Sequence, residues 1–264
     1  MTTLYEIVKS FERLIGIQNT SKTAMKIGQT YSEDQKKTKI RKCLLTIYPN
    51  KEVLITAVRD KFDLIITYTL PNWNFDQITD EFYKVLKILF ENRIFLYLIP
   101  DEWTARKSGL IEIISELLNL KVIDLFQIEA DKLNQKIIGR ICQVSTKIYL
   151  VDLLTLLKQK LDLTYLRYLG NLDSSIQKVA IIIKQELTPD LLKMAKLMNV
   201  DTIICTNFTY ITEKIAEELE INLIDVSLHI ANLGLLKLTQ TLRMDHLDVE
   251  FAFINLKPFS GIFK

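Results

Sequence analysis

A chain of 264 residues can form one large domain or two smaller ones, and either can bury a substantial core. With 48% hydrophobic and 25% charged residues, the composition is that of an ordinary soluble globular protein. The formal net charge of +2 argues against nucleic acid as a partner. The most apolar segment, residues 147–161, is interrupted by Asp152 and is too short to cross a bilayer, so no membrane association is expected.

The first half of the chain predicts strands that alternate with helices. Apolar residues from Leu4 to Phe11 recur at helical spacing between charges, which predicts an amphipathic helix rather than an export signal. Three runs rich in β-branched or aromatic residues then end at Pro49, Pro71 and Pro100, and a polar turn and a helical pattern follow each run. The predicted helices follow Asn50, Asp76 and Ser108.

A second alternating set follows residue 130. The predicted strands cover residues 136–143, 164–169, 178–184, 201–206, 221–227 and 247–254, and the predicted helices cover 148–160, 190–199, 211–220 and 229–242. Thr188 and Pro189 predict the N-cap and first residue of one helix. The fold class predicted is α/β, with two similar, interlinked domains whose sheets are flanked by helices. Residues 1–130 plus about 226–264 form the first predicted domain, and residues 131–225 form the second.

Common catalytic motifs are missing from the sequence. The 7 glycines are too far apart for a phosphate-binding loop or a dinucleotide fingerprint. The sequence has only 2 histidines, and neither has a neighbouring pair of cysteines. A zinc site built from several histidines or cysteines is therefore excluded. Cys43, Cys142 and Cys205 lie in apolar, strand-like runs, which predicts buried thiols and a reducing, cytoplasmic location.

Several strings, in their order and spacing, resemble the Nif-three-like family, whose members are often described as type 2 homologues of GTP cyclohydrolase I. The string "IRKCLLTIYPNKEVLITAVRDKFDLIITYTLP" is similar to the first unit of that family, and "INLIDVSLHIANLGL" resembles its later strands. The ending "NLKPF" resembles the Asn-Pro-Phe that closes many members. The resemblance covers nearly the whole chain and implies the family's α/β fold, a ring-shaped homohexamer and a site for two metal ions.

The sequence departs from that family at the implied metal ligands. Tyr68 and Thr69 stand in place of two adjacent histidines, and Thr104 stands in place of a loop aspartate. Leu228 and Asn232 replace a His-x-x-x-Glu pair, and Ser108 with Gly109 occupies a Gly-Gly position. Two divalent cations need imidazole or anionic donors. We therefore expect that the dinuclear site has been lost and that no cofactor is bound.

These positions still predict a pocket at the carboxyl ends of the strands. Its polar lining is predicted to include Asp101, Glu102, Asp225 and His229, which suits a small neutral or cationic polar ligand. The function expected is binding or scaffolding in an oligomeric ring, without catalytic residues that the sequence identifies. The alternative is a metal-dependent hydrolase acting on a nucleotide or heterocycle, with one weakly bound divalent metal held near His229.

Overall fold

The computed structural model describes residues 1–16, 21–71, 73, 76–131, 134–161, 163 and 165–257. The helices, numbered in chain order, are α1 (Leu4–Ile15), α2 (Ser21–Ala24), α3 (Ser32–Lys37), α4 (Lys51–Arg59), α5 (Asp80–Glu91), α6 (Glu102–Ala105), α7 (Leu110–Leu117), α8 (Leu150–Lys160), α9 (Pro189–Leu197), α10 (Tyr210–Glu218) and α11 (Ala231–Asp245). The strands are β1 (Met25–Ile27), β2 (Lys42–Thr46), β3 (Leu64–Thr67), β4 (Phe95–Leu98), β5 (Lys121–Asp131), β6 (Asn134–Tyr149), β7 (Arg167–Leu169), β8 (Ser175–Ile182), β9 (Thr202–Cys205), β10 (Asn222–Asp225) and β11 (Glu250–Ile254).

The described residues fall into two compact units, one formed by 1–100 with 231–257 and the other by 101–230. Each unit has a sheet flanked by helices, which confirms the predicted α/β class. The sequence placed residues 101–130 with the first domain, whereas the structure places them in the second unit. The reason is β5, which pairs antiparallel with β6, while α6 and α7 contact β6.

The first unit contains a sheet with the order β1-β4-β3-β2-β11. The strands β4, β3, β2 and β11 run parallel, and β1 joins the edge antiparallel to β4. The four residues of β3 are all buried, which explains why its sequence is a continuous apolar run. Leu44, Ile65 and Leu96 from neighbouring strands pack against Val53 and Ala57 of α4.

The second unit contains a sheet with the order β5-β6-β8-β9-β10-β7. The strands β8, β9 and β10 run parallel, so their carboxyl ends share one edge. The core on one face joins Ile182 and Ile203 to Leu192 of α9 and Ala216 of α10. Thr188 caps α9 by accepting from the Leu191 N–H, and Pro189 is the first helical residue, as predicted.

The predicted start of α5 is wrong, whereas the predicted burial of the three cysteines is correct. The helix expected directly after Asp76 begins instead at Asp80, because Thr79 provides the N-cap and accepts from the Phe82 N–H. The buried thiols are confirmed: Cys43, Cys142 and Cys205 are free and enclosed. Burial raises the pKa of both Cys142 and Cys205 to about 12, which makes these thiols poor nucleophiles at neutral pH.

None of the helices that the structure describes combines the length and the apolar character needed to cross a bilayer.

Candidate functional site

In the first unit, the residues after β3 are tied to the backbone of β2. The Tyr68 N–H donates to the Thr46 carbonyl at 3.1 Å, and the Thr69 N–H donates to the Ile47 carbonyl at 2.8 Å. The Thr67 hydroxyl lies 3.1 Å from the Ile47 carbonyl oxygen and 2.7 Å from that of Thr69. Tyr68 is completely buried. This strand end is therefore built from backbone hydrogen bonds and hydroxyls, without an imidazole or a carboxylate.

Asn232, on α11 of the first unit, has one satisfied and one unsatisfied polar atom. Its Nδ2 donates to the Leu256 carbonyl at 3.0 Å, which fixes the orientation of the amide. Its Oδ1 is enclosed and has no hydrogen-bond partner within the described residues. A buried acceptor without a partner costs free energy, so this oxygen is suited to receive a hydrogen bond from a ligand or from water.

In the second unit, α6 and its N-cap residue Asp101 carry three of the predicted positions. Thr104 is buried, whereas Asp101 and Glu102 are exposed. The Asp101 carboxylate does not cap the helix but lies 2.6 Å from the Lys184 ammonium. The sequence interpretation missed Lys184. The signal that could have found it is its position as a charged residue two residues after β8 ends at Ile182.

A second group of predicted residues meets at the end of β10. The Ser227 N–H donates to Asp225 Oδ1 at 2.8 Å, and Ser227 Oγ lies 3.1 Å from His229 Nδ1. Burial lowers the pKa of His229, which favours the neutral imidazole. Leu228 is half-buried and brings no donor atom. Asp225 and His229 are thus brought together through Ser227.

The loop between α6 and α7 is held by Glu112 of α7, which also forms a partly buried ion pair with Arg140. Arg140 Nη2 donates to Glu112 Oε1 at 3.2 Å, and Glu112 Oε2 accepts from the Ser108 N–H at 2.8 Å. Ser108 has a left-handed backbone with φ of 61°, a conformation that favours glycine, at the position where the resemblance implies one. Gly109 is needed for space, because an added Cβ would come 1.9 Å from the Trp103 carbonyl oxygen.

The donor set does not fit a dinuclear metal centre. Phenol, hydroxyl, amide and isobutyl groups occupy the five positions implied as ligands, namely Tyr68, Thr69, Thr104, Leu228 and Asn232. Within the described ranges, no group of three or more histidine, cysteine, aspartate or glutamate side chains could hold a metal ion. Neutral oxygen donors alone bind divalent transition metals weakly.

The profile of the Duf34/NIF3 (NGG1p interacting factor 3) family matches residues 2–258. The chain belongs to this family. Over 193 residues it is 28% identical to the GTP cyclohydrolase 1 type 2 homolog of Clostridium perfringens, and the match covers 71% of each chain. The resemblance to the Nif-three-like family is therefore confirmed.

Solved structures share the Duf34/NIF3 fold. The Bacillus cereus protein related to NIF3 superposes with a TM-score of 0.79 at 14% identity, over 100% of both chains. Staphylococcus aureus protein SA1388 gives a TM-score of 0.77 at 15% identity, over 99% of each chain. Reduced HcgD from Methanocaldococcus jannaschii gives 0.76 at 20% identity, over 97% of this chain and 98% of that chain. At these identities the likeness establishes the fold.

Proposed function

We propose that this Duf34/NIF3 chain is a metal-free binding protein that has lost the dinuclear site implied by its family resemblance. The observation that carries the proposal is the set of side chains at Tyr68, Thr69, Thr104, Leu228 and Asn232. None is an imidazole, thiolate or carboxylate. A hydrolase that polarises its substrate with two divalent cations needs such donors to hold both ions in fixed geometry.

The local structure supports the loss of metal at each strand end. The hydroxyl of Thr67 is engaged by backbone carbonyls, and Tyr68 is enclosed in the first unit. In the second unit, Thr104 is buried, and Asp101, the residue that precedes its helix, is paired with Lys184. An ammonium group beside the carboxylate disfavours a cation there, because like charges repel.

A binding role is supported by the polar groups that remain. Asn232 Oδ1 is an enclosed acceptor that lacks a partner in the described part of the chain. The Ser227 hydroxyl and His229 form a second polar group in the other unit. Buried polar atoms of this kind orient ligands in binding sites, while the surrounding apolar surface supplies affinity. The proposed ligand is a small polar molecule.

We also propose that the protein assembles with itself, with the hexameric ring implied by family resemblance as the expected form. Large apolar side chains remain exposed in both units, including Phe90 at 66%, Met244 at 70%, Leu197 at 84% and Leu247 at 90%. Exposed apolar residues favour subunit contacts where they form patches. Light scattering should report an oligomer at micromolar concentration, and a stable monomer would contradict this part of the proposal.

The decisive test compares the parent chain with a variant that restores the implied ligands. The variant combines Tyr68→His, Thr69→His, Thr104→Asp, Leu228→His and Asn232→Glu. Calorimetric titration with Mn²⁺ and with Zn²⁺ should show no saturable binding by the parent and measurable binding by the variant. Tight binding by the parent, or metal-dependent GTP hydrolysis by it, would support the hydrolase alternative instead. Circular dichroism of both proteins controls for folding.

A further inference from the structure

Lys184 has a positive backbone φ angle, which is uncommon for a residue other than glycine. Among the described residues, non-glycine residues with positive φ occur directly after the C-caps of five helices, at Lys61, Arg93, Asn119, Asn199 and Glu220. Such positions commonly adopt this conformation. Ser108, Lys184 and Ser227 adopt it elsewhere, all in the second unit. Lys184 and Ser227 follow β8 and β10, at the edge where these strands end.

A left-handed backbone is sterically unfavourable at a residue with a side chain, and such strain is found preferentially at functional sites. At Lys184, φ is 66° and the backbone N–H donates to the Thr206 hydroxyl at 3.4 Å. The strand register places Ile182 beside Cys205 and Cys205 beside Asp225. The segments that follow these three strands therefore start at one edge of the sheet.

The ion pair of Lys184 is asymmetric in burial. The side chain of Lys184 is only 17% exposed, whereas that of Asp101 is 60% exposed. A cation on a half-buried side chain is stabilised by a counter-anion close by, because removing a charge from water is costly. Asp101 supplies that charge but is free of any capping role in α6. It can return to water at little cost, so its carboxylate is replaceable.

We propose that Lys184 is the ligand-binding cation of the second unit and that an oxyanion group of the ligand, a carboxylate or a phosphate, replaces the Asp101 carboxylate. This inference rests on the proposed binding function and names the chemical class of its ligand. It changes the sequence-based expectation of a neutral or cationic ligand. That expectation counted Asp101, Glu102 and Asp225 as acidic groups without the half-buried lysine that pairs with Asp101.

The neighbouring groups are compatible with an anion at this place. The Asp225 carboxylate is engaged by the Ser227 N–H, and the hydroxyls of Thr206 and Ser227 follow the adjacent strands. A lysine ammonium binds an oxyanion as a compact point charge with three donors. We therefore expect Lys184 to bind one anionic group of an otherwise polar ligand.

The test uses chelator-treated full-length protein with inorganic phosphate and with acetate as separate probes, at constant ionic strength balanced with chloride. Binding is measured by calorimetry and by the ligand-dependent shift of the thermal midpoint. Lys184→Met should abolish binding of the effective probe, and Lys184→Arg should retain it in part. Asp101→Asn should tighten binding on the order of fivefold, because it removes the competing carboxylate.

The matched control is Lys193→Met. Lys193 forms a 3.6 Å ion pair with Asp190 on α9, with both side chains exposed, so its loss should leave anion binding unchanged. The inference is overturned if neither probe binds, if Lys184→Met and Lys193→Met bind alike, or if Asp101→Asn weakens binding. The Asp101→Asn arm decides the matter even where Lys184→Met fails to fold. Metal that survives chelation would contradict the proposed function, whereas a metal-free chain without this pattern would contradict only the role of Lys184.

Discussion

Arg140 Nη2 donates to Glu112 Oε1 across 3.2 Å within the second unit, and the Arg140 side chain is only 6% exposed. Its Nε and Nη1 atoms are enclosed and have no hydrogen-bond partner within the described residues. Glu112 therefore supplies the carboxylate that compensates a buried cation, and its other oxygen holds the Ser108 N–H. The pair links β6 to α7.

Glu112→Gln should destabilise the protein by about 3–5 kcal/mol, because it leaves the Arg140 charge buried without a counter-anion. The free energy of unfolding from denaturant titration measures this effect. The double variant Glu112→Gln with Arg140→Met should recover much of the loss, since the uncompensated charge is gone. Equal losses in the single and double variants would show that compensation of the Arg140 charge is not what Glu112 provides.

Substitutions at Ser108 and Gly109, in the loop between α6 and α7, should change the stability of the protein in opposite directions. Ser108→Gly should stabilise the protein by about 1 kcal/mol, because glycine adopts positive φ without the steric cost that serine bears. Gly109→Ala should destabilise it by about 2 kcal/mol or more, since the new methyl group meets the Trp103 carbonyl. Thermal midpoints of the two variants measured side by side check both signs. Destabilisation by Ser108→Gly would contradict the conformational explanation.

Some strands could be predicted from the sequence, and others could not. The continuous apolar runs of β3 and β9 are buried along their whole length, so composition alone revealed them. In β5, residues 121–124 are exposed and mix charged with apolar side chains, so this strand lacked the pattern of a buried one. Its pairing with β6 explains why the division between the units lies near residue 100 rather than 130.

In the candidate site, too, some features could be predicted from the sequence and others could not. The positions of Tyr68, Thr104 and Asn232 came from family resemblance, and the family itself is confirmed. The Lys184–Asp101 pair joins residues far apart in sequence, and positive φ at a lysine leaves no mark in its residue type. Sequence patterns indicate local periodicity, whereas the contact between Lys184 and Asp101 depends on the tertiary fold. The sequence alone therefore could not predict it.

Asp248 should make stability depend on pH in the acid range. The Thr2 hydroxyl and the Thr2 N–H both donate to its carboxylate, which lowers its pKa from 3.8 to about 2. A lowered folded-state pKa gives stability that is present above about pH 4 and is lost as the pH falls through about 2.

Asp248→Asn should therefore lower the thermal midpoint at pH 7, and the difference from the parent should shrink between about pH 4 and pH 2. Asp190→Asn is the control, because the Asp190 side chain is 92% exposed on α9. A difference that stays constant over the acid range would contradict the role assigned to the Thr2–Asp248 hydrogen bonds.

Loss of the dinuclear site is tested by the metal content of the purified protein, measured by elemental mass spectrometry before and after dialysis against a chelator. We expect far less than one transition-metal ion per chain after dialysis, because hydroxyl, amide and apolar groups stand at Tyr68, Thr69, Thr104, Leu228 and Asn232. One or more tightly held ions per chain after the same dialysis would contradict it.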